Sequence, residues 1–275
     1  MKGQIVKIIS NDYFVKSGKN EYICKARGKF RQENITPKVG DYVFFDVEEK
    51  IIKEIMPRKN TLLRPVVSNI DQAFIVTSLK EPDFSTNLLD KLICICILNK
   101  ITPIICLTKK DLLERNEYNK FKKIINYYKK LGIKVIHNNQ VLQIKKLLKN
   151  KTTVFTGQTG AGKSSLMNRL DKNLNYDTNE ISKALGRGKH TTRVVSLVEI
   201  NKGKVLDTPG FSDIDLSVYK KEDIRNSFKE FNVNCKYKNC MHINEEGCLV
   251  KHYINEGKIL NSRYENYLKF IKKIK

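Results

Sequence analysis

Residues Gly157-Gln158-Thr159-Gly160-Ala161-Gly162-Lys163-Ser164 read G-x-x-x-x-G-K-S, and this run constrains the fold more than any other feature of the chain. Apolar, strand-forming residues 152–155 precede it and helix-compatible residues 165–170 follow it. A strand, a glycine-rich turn and a helix in that order make a phosphate loop: the glycines let backbone N–H groups turn inward around a β-phosphate, and the helix N-terminus adds its positive end. Lys163 is expected to reach the β and γ phosphates, and the Ser164 hydroxyl to bind Mg²⁺. An α/β nucleotide-binding domain is therefore expected.

The surrounding pattern agrees. Residues 72–78, 101–107, 133–136 and 152–155 read as strands, and 87–98, 112–131 and 141–148 as helices, an alternation that implies a parallel sheet covered by helices. Upstream, residues 3–9, 13–15, 21–26, 41–47 and 51–55 read as five short strands separated by turn-rich pieces. They fit a small barrel of the OB type, and their periodicity also fits an SH3-like barrel. Residues 58–65 are polar and read as a linker, and from about residue 216 the chain reads as helical, with a final helix near 262–274. Three domains are expected: an OB-type β-barrel over 1–62 that binds RNA, a P-loop domain over 63–215, and a helical metal-binding domain over 216–275.

Two further motifs decide the base. Asp207-Thr208-Pro209-Gly210 follows apolar Val205-Leu206 and sits some fifty residues after the phosphate loop. Asp207 is expected to hold Mg²⁺ through water and the Gly210 N–H to sense a γ-phosphate. Thr108-Lys109-Lys110-Asp111 follows a strand and is close to N-K-x-D. A carboxylate at Asp111 can accept from both N1–H and the N2 amino group of guanine, a pair adenine does not offer in that geometry. Lys109 would cover the base with its stem, and the Thr108 hydroxyl, standing where Asn is usual, can make one bond. GTP and GDP are thus the expected ligands. The guanine motif precedes the phosphate loop, the reverse of the ordinary GTPase order. A circularly permuted domain accommodates that order, and it runs the segment after Asp207 straight into the C-terminal domain. Asp111 argues against an ATP-dependent kinase. Intact Lys163, Ser164 and Asp207 argue against a pure RNA-binding module built on a degenerate nucleotide fold.

Residues 186–192, Gly186-Arg187-Gly188-Lys189-His190-Thr191-Thr192, look like a first switch, with Thr191 or Thr192 offering a hydroxyl to Mg²⁺. Phe211 stands where familiar GTPases carry a water-orienting Gln, so slow intrinsic hydrolysis is expected. Of the seven cysteines, Cys24, Cys94, Cys96 and Cys106 lie in apolar stretches and read as small buried residues. Cys235, Cys240 and Cys248 cluster with His242. Three thiolates and one imidazole suit one tetrahedral structural Zn²⁺ with no open catalytic position.

The formal net charge is +23. Lys and Arg outnumber Asp and Glu by 13 to 8 in residues 1–62, by 26 to 14 in 63–215 and by 13 to 7 in 216–275. A single basic tail is excluded, and a broad polyanion-binding surface fits. No apolar run approaches the roughly eighteen residues of a membrane span, and the N-terminus lacks the apolar core of a signal peptide. A soluble, cytoplasmic, monomeric protein is expected.

The order and spacing of these motifs resemble the RsgA (YjeQ) family of circularly permuted GTPases of small ribosomal subunit biogenesis. The likeness includes Asn69-Ile70-Asp71-Gln72, the phosphate loop through Ser165, Leu185 to Thr192, Asp207 to Phe211, the Cys/His spacing and Arg263-Tyr264-Glu265-Asn266-Tyr267. It implies GTP hydrolysis stimulated by the small subunit, a role late in its maturation and contact with its rRNA. It also makes His190 the candidate for orienting water. The sequence departs from the pattern at Thr108, and at His137-Asn138-Asn139, where an S-A-type base contact is usual.

Overall fold

In a computed structural model, residues 1–28, 30, 35–63, 65–171, 195–206 and 215–274 are described. The chain forms two compact units, Met1–Ala73 with Gln140–Phe155 and Ser164–Phe211, and Phe74–Asn139 with Thr156–Lys163 and Ser212–Lys275.

The first unit begins with a closed barrel of β1 (Lys2–Ile9), β2 (Asp12–Ser17), β3 (Asn20–Ala26), β4 (Tyr42–Asp46) and β5 (Ile51–Ile55), in the order β1-β2-β3-β5-β4. Alternating residues Ile5, Val15, Cys24, Val43, Phe45 and Ile52 point inward and are essentially inaccessible. β3 and β5 pair in parallel and β4 returns antiparallel to β1. These non-sequential closures make a Greek-key barrel of the OB type and settle the choice against the SH3-like alternative. At Gly3 a Cβ would meet Val15 Cγ1 at 2.5 Å, so only glycine lets β1 lie this close to β2.

Of residues 58–65, expected as a linker, the described ones include Arg58 and Thr61–Leu63, which are instead tied to the barrel unit. β6 (Thr61–Leu63) forms a hairpin with β7 (Val66–Ser68), and Val39 bridges to Val67. Arg58 makes a two-pronged ion pair with the fully buried Asp41, at 2.7 and 2.8 Å, and the Ser68 hydroxyl donates to the same carboxylate at 2.6 Å. The Asn69–Gln72 run then connects several backbones. Asn69 donates to Gly40 O, Asp71 accepts from the Thr152 N–H, and Gln72 donates to Leu147 O and Thr153 Oγ1.

A six-stranded sheet has the order β10-β9-β8-β11-β13-β12, where β8 is Gln72–Ser78, β9 Thr102–Thr108, β10 Lys134–His137, β11 Thr152–Gly157, β12 Leu197–Ile200 and β13 Gly203–Leu206. β9 with β10 and β11 with β13 are parallel, while β12 and β13 form an antiparallel hairpin. Every residue of β8 and β11 is buried, as strands covered on both faces must be. β11, which leads into the glycine-rich turn, lies between strands that precede it in sequence and strands that follow it. The sheet is whole although the chain order is rotated, the signature of a permuted domain.

The helices are α1 (Thr86–Leu98), α2 (Arg115–Lys130), α3 (Val141–Leu148) and α4 (Lys163–Leu170). α1 starts where Ser85 Oγ accepts from the Leu88 N–H. α2 starts later than expected because Glu114 and Glu117 close a capping box, leaving Lys110–Leu112 as a separate 3₁₀ turn. Among the described residues no helix is long and apolar enough to cross a membrane. Cys24, Cys94, Cys96 and Cys106 are buried free thiols, as expected.

The C-terminal segment carries α5 (Lys221–Ser227), a 3₁₀ turn (Lys229–Phe231), α6 (Leu249–Asn255) and α7 (Asn261–Lys272). The Arg263–Tyr267 run has one structural logic here. Arg263 donates to Asp90 of α1 and to Glu230, both at 2.7 Å, and its guanidinium lies 4.3 Å from the Phe228 ring centre. Asp90 also accepts from Tyr128 and Asn266. Arg263 and Asp90 side chains are 2% and 0% exposed. Removing one partner of such a pair strands the other charge away from water. Arg263→Met is expected to lower unfolding stability by about 3–5 kcal/mol, read as a lower urea midpoint at unchanged slope. An unchanged midpoint would show the network to be without net effect.

Candidate nucleotide site and metal centre

β11 ends at Gly157, whose φ of +135° is a conformation for glycine, and a Cβ there would sit 2.0 Å from Val76 O. Gly160 and Gly162 also hold positive φ, +77° and +91°. The turn is therefore shaped by backbone, with Gln158, Thr159 and Ala161 between these glycines and Ser164 and Ser165 in the first turn of α4. The Lys163 ammonium donates to Gly157 O at 2.9 Å and Gln158 O at 2.7 Å, spanning the loop it belongs to. Burial pulls its pKa down to about 8. An anion in the loop would offset that penalty.

The guanine-type motif reaches the same loop. Thr108 is buried at the end of β9, and its hydroxyl donates to Ala161 O at 2.7 Å, with Thr77 O at 3.5 Å. The one hydroxyl proton is thus committed to the phosphate loop. Lys109 is left-handed at φ +56°, and its ammonium donates to Glu81 O. Asp111 is exposed within the 3₁₀ turn, leaving its carboxylate open to a ligand. Lys110 lies over the Tyr118 ring at 4.3 Å, and Tyr118 Oη is 3.3 Å from His137 Nε2. His137 pairs in register with Leu107, and the Asn138 N–H donates to Leu107 O, so 137–139 lie beside 108–111 at neighbouring strand ends. Burial and the nearby Lys110 and Lys129 lower the His137 pKa, favouring neutral imidazole. Tyr118 has no motif around it, and only its position four residues into α2 could have suggested this contact.

Thr108→Val keeps the shape but leaves Ala161 O without its donor. GTP affinity is expected to fall by about tenfold, the value of roughly one hydrogen bond, with Thr108→Ser near wild type. Equal affinity for Thr108→Val in a nucleotide titration would remove the link.

His190, Thr191, Thr192, Asp207, Gly210 and Phe211 lie outside the described residues.

Cys235, Cys240, His242 and Cys248 come together, their ligand atoms all within 4.8 Å of one another. His242 Nδ1 lies 3.7, 3.3 and 3.4 Å from the Sγ atoms of Cys235, Cys240 and Cys248. Tetrahedral Zn²⁺ with its usual S and N bond lengths gives S···N edges of about 3.5 Å. The donor set and its geometry therefore fit zinc. The loop is held from outside: Tyr264 donates to His242 O, Tyr267 to Met241 O and Arg225 to Cys240 O, while Glu245 accepts from the Met241 and Ile243 N–H groups. Such outer partners fix ligand orientation. His252, beyond the fourth ligand, pairs instead with Glu256.

The RsgA GTPase family model matches residues 55–217, and the RsgA N-terminal domain model matches residues 2–51. Small ribosomal subunit biogenesis GTPase RsgA 2 of Oceanobacillus iheyensis is 44% identical over 99% of this chain and 97% of that protein. Small ribosomal subunit biogenesis GTPase RsgA of Streptococcus pneumoniae is 43% identical over 100% and 94%. Among solved structures, YloQ, a circularly permuted GTPase, superposes with a TM-score of 0.85 at 34% identity, covering 99% of this chain and 94% of that one. YjeQ from Thermotoga maritima gives 0.85 at 31%, covering 99% and 98%.

Proposed function

The chain belongs to the RsgA GTPase family and is a GTP-hydrolysing enzyme, and on that premise we propose that it acts on the small ribosomal subunit, late in its maturation, with hydrolysis stimulated by the subunit and its rRNA. The full-length likeness to small ribosomal subunit biogenesis GTPases carries this reading. The spread of positive charge over all three sequence segments supports a broad RNA surface.

In this reading the backbone of Gly157–Gly162 cradles the phosphates. Lys163 exchanges its two carbonyl partners for β and γ oxygens, and Ser164 binds the Mg²⁺ that accompanies GTP, followed by Ser165. Mg²⁺ neutralises charge on the phosphates when bound. Asp111 accepts from the guanine edge, Lys109 and Lys110 flank the base, and Thr108 keeps the guanine motif in register with Ala161. Thr191 or Thr192, Asp207 and Gly210 respond to the γ-phosphate, and His190 orients water where Phe211 cannot. The Cys235, Cys240, His242 and Cys248 cluster holds one structural Zn²⁺. The chain works as a cytoplasmic monomer, divided in sequence at about residues 62 and 215.

If the switches report nucleotide state to the RNA-binding surfaces, subunit affinity must depend on the nucleotide. Co-sedimentation with purified small subunits is expected to be at least tenfold tighter with a non-hydrolysable GTP analogue than with GDP. Equal sedimentation in both states would overturn the switch reading.

A further inference from the structure

Beside the metal centre lies a groove of about 490 Å³. One wall is the end of α5 and the 3₁₀ turn, supplying Arg225 and Lys229, and the other is the Cys/His loop, supplying Tyr237 and Lys238. Three cations line the groove and no carboxylate does. Arg225 is fixed in advance: it donates to Cys240 O at 3.2 Å and to Asn226 Oδ1 at 3.0 and 3.1 Å. Tyr237 is 47% exposed, and the Lys236 ammonium lies over its ring, 5.5 Å from the centre. An aromatic plate beside a set of cations is the arrangement that takes a stacked base and its phosphates.

We propose that this groove holds one unpaired nucleotide of an RNA strand, its base stacked on Tyr237 and its phosphates met by Arg225, Lys229 and Lys238. The proposal rests on the reading that RNA of the small subunit is the partner, and it names a point of contact. The cations alone would serve an acidic peptide equally. The exposed ring favours a nucleobase, and the volume suits one nucleotide rather than a duplex.

The test uses the full-length, zinc-loaded protein with two probes, purified small subunits and a short single-stranded oligoadenylate, and with inorganic polyphosphate as a charge-only control. Tyr237→Ala is expected to weaken binding of both RNA probes by about tenfold, with polyphosphate binding unchanged, and Tyr237→Phe to restore it. Lys238→Ala is expected to weaken all three probes and to reduce the salt dependence by about one phosphate contact. Zinc content and subunit-free GTP hydrolysis of Tyr237→Ala report that the fold is intact. Unchanged RNA binding by Tyr237→Ala, or Tyr237→Phe as weak as Tyr237→Ala, overturns the stacked base. If the wild-type protein binds oligoadenylate through Tyr237 but does not bind small subunits, the groove stands and the ribosomal reading falls. If subunits bind Tyr237→Ala and wild type alike, only the groove falls.

Discussion

Asp111→Asn should weaken GTP binding by about a hundredfold or more while leaving unfolding stability unchanged. A carboxylate accepts both guanine N–H groups, and each charge-assisted hydrogen bond is worth about 1.5–3 kcal/mol. An amide has one acceptor and turns an N–H toward a donor, so about 3 kcal/mol is lost. The fold does not depend on the group, because Asp111 is exposed in a one-turn 3₁₀ segment. Xanthine carries a carbonyl where guanine carries its amino group, so the same substitution should improve binding of xanthosine triphosphate. Titration of both nucleotides against both proteins checks the pair of effects. GTP affinity unchanged in Asp111→Asn would place the base elsewhere.

The second large effect concerns the metal. One zinc per chain is expected by elemental analysis, and Cys248→Ser should abolish it. Structural Zn²⁺ contributes roughly 10–16 kcal/mol of apparent binding energy to small modules at neutral pH. The loop from Cys235 to Cys248 has little else to replace it, since it contains no helix or strand. Its loss should spread inward, because Tyr264, Tyr267 and Arg225 all spend a hydrogen bond on that loop's carbonyls. Cys248→Ser is therefore expected to lose amide protection across α7 and to unfold at a lower temperature, with guanine nucleotide affinity changed by less than about threefold. Full protection in α7 without zinc would show that the aromatic packing alone folds the module.

The parts of the architecture legible in sequence are those with local signatures. The barrel strands alternate, the buried strands run as apolar blocks, and the phosphate loop and Cys/His cluster carry fixed spacings. The parts that were not legible depend on partners far along the chain. Arg58 to Pro65 is polar and reads as a linker, yet Arg58 answers a buried Asp41 seventeen residues earlier and the hairpin behind it is only three residues deep. Arg263 meets Asp90 across 173 positions, which no periodicity reports. Thr108 reads as a hydroxyl with one bond to make where Asn is usual, but its partner, Ala161, is 53 residues away and carries no local signal. The start of α2 is hidden for a local reason: the apolar pattern continues through Leu112 and Leu113, while the capping box at Glu114 sets the boundary.

Steady-state GTP hydrolysis, with and without purified small ribosomal subunits and with ATP as the control, separates a subunit-stimulated GTPase from the alternatives. Slow turnover of GTP alone, a rise of at least tenfold when subunits are added, and no comparable hydrolysis of ATP are expected. Turnover indifferent to subunits, or ATP hydrolysed as readily as GTP, would contradict a subunit-stimulated GTPase.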